Sequence, residues 1–196
     1  MAKRTRKKIQ FRPDPTGSGL LSKLYITPLQ RRKFLKWGLY SAVVLALLIA
    51  QDVLLCHFRL FSGRMDLVPA AILLICVMED AENGGVFALA ASMFWLFSGS
   101  APGVYCILLL TVLGIGAALL RQSFLHRTGR ACVACAAAAG IAYQAAVFVI
   151  ALVLTQTYLS RFGSFLITGI LSALVGGMLY PALEAIRNLG GEAWKE

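Results

Sequence analysis

Charge is what this chain has least of. Asp, Glu, Lys and Arg make up 14% of its 196 residues and 59% are hydrophobic, where soluble domains run at about 25% charged and about 45–50% apolar. That shortage excludes a soluble globular enzyme. Acid is scarcer than base, with nine Asp and Glu against 19 Lys and Arg and a net charge of +10. Histidine occurs only at His57 and His126, in polar gaps expected at opposite membrane faces, so the two cannot share a site. No Ser/His/Asp set, glycine-rich phosphate loop or paired intramembrane carboxylate can be found. Catalysis therefore has no visible residues to carry it, and no cofactor or metal is expected.

Cysteine is also sparse. Cys76, Cys106, Cys132 and Cys135 lie in or at the ends of apolar stretches, and Cys56 lies just past the first one. Cys132-x-x-Cys135 has the spacing of a metal or redox pair, but no second pair accompanies it. Within the alanine-rich run from Ala131 to Ala146, these cysteines read as small apolar packing residues.

What is present is organised for lipid. Eleven Lys and Arg residues precede the first apolar run, from Lys3 to Lys36. Such a tail is attracted to anionic lipid headgroups and holds its end of the chain in the cytoplasm. Nucleic acid is not an expected partner, because no recognition motif accompanies the charge. The long segment before the first apolar run argues against a cleaved signal peptide and for a retained first helix. Residues 1–36, punctuated by Pro13, Pro15, Gly17, Gly19 and Pro28, are expected to be largely disordered. Leu20, Leu21, Leu24 and Tyr25 could form a short interfacial turn there.

Six apolar segments follow: Trp37–Leu55, Asp66–Met78, Gly84–Phe97, Gly103–Leu120, Ala131–Leu154 and Gly163–Leu183. The first, fifth and sixth have the ~20 residues that cross about 30 Å of hydrocarbon, and the fourth is close. The second and third are short enough to be a hairpin that does not fully cross. With both termini inside, 16 Lys and Arg fall on cytoplasmic parts and three on outer loops, as the positive-inside rule requires. The expected architecture is an all-α, multi-pass membrane domain at 37–187, with a short cytoplasmic C-terminus at 188–196. Pro69 falls in the first turn of the second segment, Pro102 at the start of the fourth and Pro181 in the last turn of the sixth.

Polar residues inside the segments are few. Gln51 and Asp52 sit near the outer end of the first, where snorkelling suffices. Tyr143 and Gln144 lie inside the fifth, where a glutamine reads as an interhelical hydrogen-bonding group. Glu79, Asp80 and Glu82 form an acidic turn, read as a solvated turn facing the basic tail. Small residues are better patterned. Gly169, Ala173 and Gly177 fall four apart in the sixth segment, beside Ser172 and Gly176, and Ala136 and Gly140 repeat the spacing in the fifth. In lipid, such faces let backbones approach closely, whether within the chain or against another protein.

The third and fourth segments carry a family likeness. Ser98-Gly99-Ser100-Ala101-Pro102-Gly103-Val104 resembles the SG-x-x-x-GV junction of the rod shape-determining membrane protein MreD family. Arg64-Met65-Asp66-Leu67 stands where that family commonly has Arg-Pro-Asp/Asn-Leu. Segment number, chain length and the basic loop after the fourth segment agree, over roughly residues 40–187. Trp95 occupies a position where the family often has aspartate, and Phe87 and Ala91 stand where glycines are common. The resemblance implies a non-enzymatic adaptor of cell-wall elongation in the bacterial plasma membrane, involved in cell shape. Its implied partners are MreC, a RodA-type glycosyltransferase and a penicillin-binding transpeptidase, alongside membrane lipid. The family is also similar to the six-helix substrate-binding subunits of energy-coupling-factor transporters, so a vitamin or metal-ion uptake subunit is the alternative. Few polar residues are available to build its pocket (Asp52, Tyr105, Tyr143 and Gln144), and a small-molecule ligand is not expected.

Overall fold

The computed structural model describes residues 28–55, 66–124 and 129–189. It is about 89% helical, with no strand among the described residues. In chain order come α1 (Pro28–Ala50), continued by a π-helical turn (Gln51–Leu55), α2 (Leu67–Met78), α3 (Ala81–Phe97), α4 (Tyr105–Phe124) and α5 (Gly129–Val153). A 3-10 turn (Leu159–Arg161) then leads into α6 (Phe162–Leu189). Four stretches are long and apolar enough to cross a membrane: Arg31–Val53, Tyr105–Ser123, Gly129–Val153 and Leu159–Leu189. They mark a helical membrane protein. α2 and α3 are shorter, at 12 and 17 residues. Residues 1–27 with the expected interfacial turn, Cys56, His57, Arg64, Met65, His126 and the C-terminal residues 190–196 lie outside the described residues.

Two boundaries differ from the sequence reading. Residues 28–36, assigned to the disordered tail, are the first turns of α1. The reason is tertiary: Lys36 is drawn into the interior by an ion pair with Glu79, 43 residues further on. Pro181 lies inside α6 rather than in its last turn, because the helix runs on to Leu189. Glu184, Ala185, Ile186 and Arg187 are good or tolerant helix formers that carry it past the proline.

α2 organises the molecule. Its sequence, LVPAAILLICVM, has no polar side chain on any face, and all twelve residues are buried. A helix apolar all round belongs at the centre of a bundle, and every other α-helix touches this one. The heaviest pairings around it are α3 with α4 and α5 with α6. Two residues, Glu79 and Asp80, connect α2 to α3. The return is close because Gly84 has no side chain: a Cβ there would sit 3.0 Å from both Cα and O of Cys76. The Cys76 thiol donates to the Gly84 carbonyl at 3.1 Å, and Gly114 of α4 lies against the same sulfur.

Helix ends show their chemistry plainly. α3 stops at Gly99, which takes φ +79° and donates its N–H to the Leu96 carbonyl at 3.0 Å. α5 stops at Thr155, also left-handed at φ 56°. There the Gln156 N–H reaches the Ala151 carbonyl and the Thr155 N–H the Leu152 carbonyl, at 2.9 and 3.1 Å. This is the paired bonding of a Schellman cap, built with a β-branched residue where glycine is usual.

Candidate functional site

At 12 residues α2 is roughly 18 Å long, well short of about 30 Å of hydrocarbon. A helix this short leaves unsatisfied backbone groups where water is scarce, and polar side chains from its neighbours meet them. At the N-terminal end, the Gln51 carbonyl oxygen accepts the N–H groups of Leu67 and Val68 at 2.9 and 3.1 Å. Gln51 is thus a cap supplied from the π-helical turn after α1. The Asp66 N–H donates to the Ser172 hydroxyl of α6 at 3.2 Å. At the other end, an Arg121 guanidinium N–H donates to the Met78 carbonyl at 3.3 Å. A cation there also complements the partial negative charge of a helix C-terminus.

The C-terminal end of α2 holds a buried charged cluster. Lys36 and Glu79 pair at 2.7 Å with side chains 4% exposed, and the Tyr40 hydroxyl donates to the other Glu79 oxygen at 2.8 Å. Arg121 is buried, and Arg187 lies within electrostatic reach of Glu79, Arg121 and Tyr40. Glu79 is therefore an internal clasp between α1 and the α2–α3 turn, whereas Asp80 and Glu82 are exposed. Arg121 also reaches the Cys132 sulfur at 3.3 Å. Among the described residues no group of three or more His, Cys, Asp or Glu could hold a metal.

The N-terminal end of α2 borders a half-open cavity of about 910 Å³. Asp66, Tyr143 and Gln144 line one part of it, Ser164 and Thr168 of α6 another, and Arg161 stands at an exposed position. Ser100 completes the polar lining, and Trp95, Pro102, Val147 and Phe165 supply apolar surface. The Gln144 amide donates to the Asp66 carboxylate at 2.6 Å, joining α5 to the head of α2. The Tyr143 hydroxyl donates to the Cys106 sulfur at 3.3 Å. Trp95 is 1% exposed, yet its indole N–H has no hydrogen-bond partner. A buried, unsatisfied N–H costs about 1–3 kcal/mol. A cavity of this size with converging polar groups has the form of a small-molecule or headgroup site.

The residues singled out in the sequence fall in three places. Ser98, Gly99 and Gly103 make the α3–α4 junction: the Ser98 hydroxyl donates to the Trp95 carbonyl at 2.7 Å and meets the Ser100 hydroxyl at 2.8 Å. At Gly103 a Cβ would lie 2.5 Å from the Tyr105 ring. Gly169, Ala173 and Gly177 are on the side of α6 that meets α5, where a Cβ on Gly169 would touch Gln144 and Ile141 at 3.6 Å and one on Gly177 would touch Val133 at 3.7 Å. Gly140 and Ala173 border a narrow crevice between α5 and α6 that also touches Pro69 and Ala70 of α2. The close approach of Gly84 to the Cys76 backbone was not among them. Asp52 is exposed, and Tyr105 flanks the junction without lining the cavity. Sequence reasoning also missed that Asp66, Trp95 and Arg161 line one cavity, because 29 to 95 residues of chain separate them. Comparison with family models, with curated proteins and with solved structures yields no match to this chain.

Proposed function

We propose that this protein is a non-enzymatic membrane adaptor of cell-wall elongation, of the MreD kind, acting in the bacterial plasma membrane to support cell shape. The observation that carries the reading is the α3–α4 junction. The resemblance rests on Ser98, Gly99 and Gly103, and those positions have structural reasons for their identity: a left-handed glycine, a hydroxyl held by the Trp95 carbonyl, and a glycine pressed against an aromatic ring. The adaptor's own bundle is held from within by α2 and by the α5–α6 small-residue seam. Partner helices then meet its outward apolar faces, such as the exposed Val86, Met93 and Phe97 of α3 and Leu108 and Val112 of α4. The basic residues of the tail and of α1 place the N-terminus in the cytoplasm, and an even number of crossings returns the C-terminus there.

Deleting the gene and purifying the protein from detergent test this together. The adaptor reading expects widened or rounded cells after deletion, and recovery of an MreC-like or RodA-like partner with the protein. A reporter fused after Glu196 should give a cytoplasmic signal. The cavity favours a second reading, the uptake subunit of an energy-coupling-factor transporter, because convergent polar groups are what such a subunit needs. Normal cell shape after deletion, together with a stoichiometric vitamin in the purified protein, would establish that reading and end the first.

A further inference from the structure

Lipid cannot satisfy the N–H and C=O groups of irregular backbone. Such backbone is tolerated at membrane depth only where it is buried in protein or lines water. Two stretches of it meet at the cavity at the head of α2. Asp66 takes φ −94° and ψ 89°, outside the helical region, and the chain between α3 and α4 contributes Ser100 and Pro102. Helix length sets the depth: Gln144, whose amide donates to the Asp66 carboxylate, stands roughly 14 Å before the end of α5 at Val153. α6 forms the opposite wall. Arg161, Ser164 and Thr168 follow at intervals of three and four, one face of a helix, and all line the cavity. Ser172 continues that face and accepts the Asp66 N–H at 3.2 Å. Ile170 and Leu174, on other sides of the same helix, are apolar and exposed. A face that is polar over several turns while its neighbours are apolar is built for contact with water, not hydrocarbon. The space measures about 910 Å³, against about 30 Å³ for each water in the liquid.

We infer that this cavity is a water-filled vestibule, open to the membrane face on which the α5–α6 turn lies and reaching inward to the head of α2. The aqueous phase thus comes to meet a helix too short to reach it. Small hydrophilic solutes enter with the water, and lipid tails are kept from the Ser164 and Thr168 side of α6. The inner end is closed by α2, a septum apolar on every face and roughly 18 Å long. The inference holds for an adaptor and an uptake subunit alike, and for either orientation of the chain.

Thiol labelling of the full chain in its membrane tests this. The substitutions S164C and T168C fall on the vestibule wall, Q156C in the turn between α5 and α6, and I170C on an exposed apolar side of α6. Two membrane-impermeant thiosulfonates, one anionic and one cationic, are added to one side of the membrane at a time. Labelled peptides are mapped by mass, so that the native cysteines are counted separately. The reagents react with thiolate, which forms where the thiol is hydrated. S164C and T168C should be labelled by at least one reagent, from the same side as Q156C. I170C, at a similar depth, should react at least about tenfold more slowly, since each unit by which an apolar setting raises a thiol pKa removes nine-tenths of its thiolate. If T168C does not fold, S164C, which exchanges only oxygen for sulfur, carries the same comparison. No labelling of S164C or T168C while Q156C reacts, equal labelling of I170C, or entry from the opposite side would each overturn the inference. So would labelling that begins only after delipidation in detergent, because lipid would then be the occupant.

Discussion

Gly99 and Thr155 hold the same left-handed backbone at the ends of two helices, and they carry opposite side chains for that role. Glycine enters the region without steric cost, whereas a residue with a Cβ pays about 1–2 kcal/mol. The two positions therefore predict changes of opposite sign. Gly99→Ala should destabilise the protein by about 1–2 kcal/mol, and Thr155→Gly should stabilise it by a similar amount or less. Thermal or denaturant unfolding in detergent checks both, and a destabilising Thr155→Gly would mean that the hydroxyl matters more than the strain. Gly99 was legible in the sequence as part of a Ser-Gly junction. Thr155 was not, because nothing in Leu154-Thr155-Gln156 signals a left-handed cap.

At the scale of elements, α2 depends on what its neighbours bring to its two ends. Lys36 of α1 and Glu79 after α2 form a buried pair, and breaking such a pair from one side typically costs about 3–5 kcal/mol, since the other charge stays buried. Lys36→Met should therefore lower stability by that order. The double variant Lys36→Met/Glu79→Leu should recover much of the loss, and the double-mutant cycle read from unfolding midpoints measures the coupling. Additive losses would show that the pair is not coupled. The six helices were readable because each apolar run is bounded by polar or glycine-rich sequence. The roles of Lys36, Glu79 and Gln51 were hidden, because capping from another helix leaves no local pattern. Asp66 and Gln144 lie 78 residues apart and meet only once α5 has packed on α2. The cavity was illegible for the same reason: its walls come from the head of α2, α3, the α3–α4 junction, α5, the 3-10 turn and α6. By contrast, the α5–α6 seam was visible as spacing, although only the structure places Gly169 and Gly177 against α5 of the same chain.

For the molecule as a whole, the described fold begins at Pro28, and Arg31, Arg32, Lys33 and Lys36 remain inside it. Removing residues 2–27 should leave insertion and unfolding temperature unchanged, because those four cations suffice to orient the first helix. Protease protection in membranes and a melting curve in detergent check this, and a failure to insert would make the tail part of the fold. The enclosure of α2 also bears on biogenesis. The helix is made second, yet its full jacket is complete only when α6 has been synthesised. Until then, a rod too short to cross the bilayer has to wait with its charged and amide-bearing flanks half-dressed. The newborn chain therefore keeps α2 incompletely enclosed until α6 has followed it. A stop codon anywhere before α6 would yield a substrate for membrane quality control rather than a smaller version of the protein.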